Sequence, residues 1–170
     1  MKTSKNLFIG LIVIIIGVSG VYLYNKIINE KKIIVQDIEK EDIQLKEEAI
    51  KKFYSSYEEK SIEIYNDSVI DSLKAKTEED KELRRALYED IISFKLIDFK
   101  ENKVNPVQEL NGIKYDKDNI AEFTAYYEVD YDKNIYGSAG EGKQSVKKVI
   151  VRENKNSPWL VAGQIDGQGY

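Results

Sequence analysis

Neither cysteine nor histidine occurs among the 170 residues. The first absence excludes disulfides, thiolate metal sites, cysteine nucleophiles and a lipid-bearing cysteine. The second removes the commonest general base and the commonest transition-metal ligand. A serine–histidine triad and a zinc-hydrolase centre therefore cannot be built from this chain alone. Proline is scarce too, with two residues, and the ten glycines are unevenly placed. No glycine or proline interrupts Val21 to Asn105, whereas Pro106, Gly112, Gly137, Gly140, Gly142, Pro158 and Gly163 crowd the later part of the chain. That asymmetry predicts helices first, then strands with turns.

What is present is the composition of a folded domain: 42% hydrophobic, 33% charged and 11% aromatic. Disorder needs far less apolar content. Lys2 and Lys5 take two of the 26 basic residues, so the rest carries 24 against 30 acidic, a net charge of −6. A net-acidic domain argues against nucleic acid and anionic lipid as main partners.

The longest hydrophobic feature runs from Leu7 to Tyr24, inside 20 uncharged positions between Lys5 and Lys26. As a helix, 20 residues span about 30 Å, the thickness of a bilayer hydrocarbon core. Leu11 to Ile16 is unbroken Leu, Ile and Val, and Tyr22 and Tyr24 stand where interfacial aromatics belong. The segment is apolar on all faces, unlike a surface helix. We read it as a retained single-pass membrane anchor. A cleaved signal peptide is the rival, with Val18-Ser19-Gly20 offering small residues for cleavage after Gly20, but the apolar run continues to Tyr24. Lys26, Lys31 and Lys32 outnumber Lys2 and Lys5, and charge counting alone puts the N-terminus outside. A short basic tail before an apolar segment has the form of an export signal, and lack of cysteine suits an exported bacterial domain. The expectation is a domain facing outside at the cell membrane.

The sequence divides into three regions: residues 1–25 as cytoplasmic tail and anchor, 26–41 as a charged helical stalk with isoleucine pairs, and 42–170 as one α+β domain. Leu45, Ala49, Phe53 and Tyr57 recur at four-residue spacing, with Ile50 and Tyr54 beside them, as on a helix from Asp42 to Glu58. A second helix is expected over Ser61–Lys74, burying Ile62, Tyr65, Val69 and Leu73. Thr77 followed by Glu78, Glu79 and Asp80 reads as an N-cap with an acidic first turn, opening a helix that buries Leu83, Leu87 and Ile91. Phe94, Leu96, Ile97 and Phe99 mark a strand over Ser93–Glu101, and Asn111-Gly112 marks a turn. The clearest strand is Ile120–Tyr131, where Phe123, Ala125, Tyr127, Val129 and Tyr131 alternate with Glu122, Thr124, Tyr126, Glu128 and Asp130. Further strands are expected at Gln144–Glu153 and Trp159–Asp166, after glycine-rich and Asn154–Pro158 turns. About three helices would then pack on a curved antiparallel sheet, in a cone-like α+β arrangement with a pocket between helices and sheet.

The helix order, the strand Phe94-Lys95-Leu96-Ile97-Asp98-Phe99-Lys100-Glu101 and the long strands after it resemble the cone fold of nuclear transport factor two and cystatin-like domains. More narrowly, Val151, Glu153-Asn154, Ser157-Pro158-Trp159 and Gly167-Gln168-Gly169 are similar to the end of an uncharacterised family of bacterial exported domains. The resemblance covers roughly residues 42–170. It implies the cone fold and a lipoprotein-like or membrane-anchored surface location. It implies no catalytic residue, because that family has no assigned activity, and this fold hosts isomerases, dehydratases, transport factors and inert assembly domains alike.

Two constellations could carry chemistry. Asp130, Asp132, Asn134, Ser138 and Glu141 fall at positions 1, 3, 5, 9 and 12 of a calcium-loop spacing, with hard oxygens on alternate residues. Ile135 stands where such a loop needs glycine, and strands rather than helices flank it, so a polar hairpin tip is the simpler reading. The second is aromatic: Tyr54, Tyr57, Phe123, Tyr127, Tyr131 and Trp159 could line a pocket for an apolar ligand, although tyrosine also suits half-buried sheet positions. No carboxylate shares the phase of Phe123 and Tyr127 on their strand, which argues against acid–base catalysis. Lys147-Lys148 reads as an edge guard against aggregation. The expectation is a non-catalytic interaction module for a protein or cell-envelope partner, with no cofactor unless calcium binds. A small-ligand binder is the alternative, and a hydrolase or isomerase a remoter one.

Overall fold

The computed structural model describes residues 3–102, 109–110, 112–133 and 141–165, with side chains for those between Asn25 and Gln164. The chain divides into two units, residues 1–43 and 44–170. Helix α1 (Thr3–Glu58) supplies the whole described part of the first and opens the second. In the first unit Ile27, Ile28, Ile33, Ile34, Val35, Ile38 and Ile43 are exposed. Among the described residues no helix is long and apolar enough to cross a membrane. The stretch expected as an anchor, residues 7–24, lies outside those whose side chains are described.

Helix α1 is terminated at Lys60, whose φ of +52° is the left-handed conformation that stops a helix. Its buried face is centred on Ile50, Phe53 and Tyr54, while Leu45 is exposed. A strict four-residue spacing drifts about 40° per step around a 3.6-residue helix, so the row from Leu45 to Tyr57 cannot stay on one face. Ser61 then caps α2 (Ile62–Ser68) by accepting from the Ile64 N–H. This helix is shorter than expected. Val69 leaves it to form a parallel bridge with Val161, and the Ile70 N–H donates to the Val161 carbonyl at 3.0 Å. A single 3₁₀ turn (Asp71–Leu73) comes next.

Thr77 caps α3 (Glu78–Asp90) as expected, in a reciprocal box: its hydroxyl accepts from the Asp80 N–H at 3.1 Å, and Asp80 accepts from the Thr77 N–H at 3.1 Å. Replacing Thr77 by alanine should cost about 1 kcal/mol, read as a lower urea midpoint with unchanged slope. The face α3 buries differs from the expected one. Leu83 is 55% exposed, Leu87 half-buried, and Tyr88 with Ile91 fill the interior.

Four antiparallel strands lie in the order β1-β4-β5-β6: β1 (Ile91–Glu101), β4 (Ile120–Tyr131), β5 (Gly142–Val151) and β6 (Leu160–Ile165). The fold class is therefore α+β, three helices with an antiparallel sheet. A bulge between Leu96 and Asp98 turns Ile97 outward and keeps both Leu96 and Phe99 facing the helices. The small hairpin β2 (Glu109–Leu110) and β3 (Ile113–Lys114) turns through Gly112, whose φ of +78° suits glycine.

The alternation on β4 holds: Phe123, Ala125 and Val129 are buried against the helices, and Tyr126, Glu128 and Asp130 are exposed. Glu122 departs from it. Expected to be wet, it is only 9% exposed. Near it, Leu110 and Tyr115 from the hairpin region and Ile70 pack on Ile120, Val149, Val151 and Ala162, covering the second face of that end of the sheet.

Candidate functional site

The space between α1 and the sheet is filled by rings. Tyr54 and Tyr57 of α1 meet Phe94 of β1, Tyr54 also meets Tyr127 of β4, and Phe53 stands edge-on to both α1 tyrosines. Phe94 lies 5.2 Å from both Tyr57 and Tyr127, with stacked planes. Tyr54 stacks on Phe94 at 5.8 Å and tilts against Tyr127 at 5.9 Å. Burial pushes the Tyr54 hydroxyl well above the ordinary tyrosine range, and Tyr127 and Tyr57 add to the effect. That hydroxyl is buried, with no hydrogen-bond partner among the described residues. Burial also raises Tyr57, against the lowering influence of Arg84.

Of the six residues expected to line a ligand pocket, Tyr54, Tyr57 and Tyr127 come together in this ring cluster. Phe123 and Trp159 belong to the same hydrophobic core, with Phe123 6.2 Å from Phe99. Tyr131 packs on the neighbouring cluster of Tyr88, Ile91 and Val129. Trp159 is buried with two cations near it, the Lys46 ammonium 5.3 Å and the Arg152 guanidinium 4.5 Å from its ring. It also borders a cleft of about 190 Å³ with Ala49, Asp67 and Pro158. Arg152 is fixed by donating to the Asn119 side chain at 3.1 Å and to the Asp118 carbonyl at 2.8 Å.

Two larger clefts lie away from the ring cluster. One of about 650 Å³ sits on the opposite face of the sheet between Ile97, Tyr126 and Gln144. Another of about 600 Å³ lies between Ile70, Tyr115 and Pro158.

The calcium-loop residues are only partly described, because Asn134 and Ser138 lie outside the described residues. Asp130 accepts from the Ser93 hydroxyl at 2.8 Å, and Asp132 and Glu141 are exposed. Among the described residues no three acidic side chains gather as a metal group would require.

The edge-guard reading of Lys147-Lys148 fails. The strand β5 is interior to the sheet, so neither lysine of the pair guards an edge. Lys147 is exposed, but Lys148 stands opposite Phe123 of β4 and Gln164 of β6, on the helix-facing side. Its ammonium donates to the Gln164 side-chain oxygen at 3.0 Å and lies 5.1 Å from the Phe53 ring. Burial, then the nearby positive charge of Arg84, lowers Lys148 to about 8. Arg84 reaches in from α3, its guanidinium 3.7 Å from the Tyr65 ring and 3.5 Å from the Tyr57 hydroxyl, to which it donates. The sequence carried a signal for Lys148 in the period-two row Val146, Lys148, Ile150, where a charge interrupts buried apolar positions.

The family described as Domain of unknown function (DUF4829) matches residues 25–165. No curated protein and no solved structure matches the chain.

Proposed function

This chain belongs to the DUF4829 family, a domain of unknown function, and on that premise we propose its role from its own residues: a membrane-anchored, extracytoplasmic, non-catalytic binding module. The observation that carries the non-catalytic part is the ring cluster. Where a cone-like fold would hold a substrate, Tyr54, Phe94 and Tyr127 pack within about 6 Å of one another. The inner row of β4 (Ala121, Phe123, Ala125, Tyr127 and Val129) offers no carboxylate for proton transfer. Anchoring is supported by the 20 uncharged residues between Lys5 and Lys26. The partner we favour is a protein or cell-envelope component, met outside the membrane by the surface of the domain.

Right-side-out membrane vesicles carrying the full chain test the location. Added protease should digest the domain and leave a membrane-bound fragment that begins upstream of Lys26. Full protection until the vesicles are lysed would place the domain on the cytosolic side and end this reading. Release of the intact domain by washing with salt or carbonate would remove the anchor from it.

A further inference from the structure

Lys148 and Arg84 come from different elements, β5 and α3, and act on the same aromatic enclosure. Their partners are neutral: the Gln164 carboxamide and Phe53 ring for Lys148, the Tyr57 hydroxyl and Tyr65 ring for Arg84. Among the described residues neither cation has a carboxylate within ion-pair distance, although ion pairs occur elsewhere, as between Lys46 and Glu101 at 3.0 Å. Two partly buried cations that repel each other without a counter-charge destabilise the fold. Such an arrangement is accounted for when an anion completes it.

We propose that Lys148 and Arg84 form a binding site for an oxyanion, a carboxylate or a phosphate borne by a small ligand, flanked by the Phe53 and Tyr65 rings. The guanidinium supplies a planar fork of donors and the ammonium a compact charge, and the two rings they lie on, Tyr65 and Phe53, are 6.0 Å apart. Tyr65 is already committed, its hydroxyl donating to the Leu73 carbonyl at 3.0 Å, so its ring holds Arg84 in place and its hydroxyl is not offered to the ligand. Gln164 is exposed on the edge strand β6, which gives the ligand an entrance and lets the carboxamide swing from Lys148 to donate to a bound oxygen. The rival is a lysine that packs its stem on Phe53 and extends its amine towards solvent. This site stands independently of which side of the membrane the domain occupies.

Thermal melts of the full chain in detergent micelles at pH 7 test it, with benzoate, inorganic phosphate or chloride at matched ionic strength. A saturating oxyanion should raise the midpoint by several degrees over chloride. A larger rise with benzoate identifies a carboxylate with an apolar body as the ligand type, and a larger rise with phosphate identifies a phosphate. K148M and R84Q should melt cooperatively and lose that rise, while K148R should retain part of it. K148M exchanges an unpaired cation for an apolar chain of similar length, so it should fold, and R84Q carries the test alone if it does not. No rise over chloride in the unmodified chain, or an equal rise in K148M and R84Q, would overturn the site.

Discussion

Replacing Phe53 by alanine is expected to lower the stability of the domain by about 3–5 kcal/mol. Marginal domains hold only about 5–15 kcal/mol in total, so this one change removes a large share. The size of the loss comes from the surroundings of the ring. Phe53 is 4% exposed and meets Tyr54 at 5.1 Å, Tyr57 at 5.5 Å and Tyr65 at 6.0 Å, the first two edge-on. Each such pair adds about 0.5–1.5 kcal/mol beyond area burial. Three flat, stiff neighbours anchored on two helices cannot collapse into the space, so a cavity remains. The loss also strips the ring from beside the Lys148 ammonium. The check is urea denaturation of the full chain in micelles, monitored by fluorescence of the single tryptophan, Trp159, which is buried in the same core. Ile92→Ala is the control: at 66% exposure it should change stability by no more than about 0.5 kcal/mol. A Phe53→Ala cost as small as the control's would mean that the ring cluster is loosely packed.

How much of the fold is legible in the sequence depends on how each signal is generated. Strand β4 was readable to the residue, Ile120–Tyr131, because twelve residues of alternation give a long period-two signal. The Thr77 cap was readable because its partners lie within three residues. Longer-range effects were hidden. Val69 leaves α2 for a strand about ninety residues away in sequence, and nothing local announces that bridge. The bulge at Ile97 lets an apparently continuous apolar run serve two faces. Glu122 is enclosed near a hairpin whose two-residue strands are too short to show a period. Tyr54, Tyr57 and Tyr127 meet with their rings against one another, a packing that the spacing of tyrosines in the sequence does not distinguish from the lining of a pocket. Lys148 was visible as a charge in an apolar row, yet pairing it with Lys147 concealed that neighbouring strand residues face opposite sides.

That same lysine gives the chain an expected pH profile: stability should climb from about pH 8 to about pH 10 and then fall. Below about 8 Lys148 is charged in both the folded and unfolded states, and the full penalty of its enclosure is present. Folding lowers it from the ordinary 10.5 to about 8, so between these values the unfolded chain binds the extra proton. Stability rises with pH wherever the unfolded state holds more protons. Each pH unit between the two proton affinities corresponds to about 1.4 kcal/mol, and the partial exposure of Lys148 reduces the realised gain to about 2 kcal/mol. The tyrosines set the upper limit. Tyr54 and Tyr57 are pushed well above 10 by burial, and Tyr65, Tyr88 and Tyr127 are raised as well. Above pH 10 the unfolded chain loses those phenol protons while the folded chain keeps them, so the sign reverses. Lys148→Met should be more stable at pH 7, flat from pH 8 to 10, and unchanged in the fall beyond. Urea midpoints across that range measure all three, and a Lys148→Met curve that still climbs would assign the rise to another group. An oxyanion bound at Lys148 must flatten the same limb in the unmodified chain, because the counter-charge restores the folded lysine towards its ordinary proton affinity. The pH profile and the anion melts therefore report one electrostatic deficit by two routes.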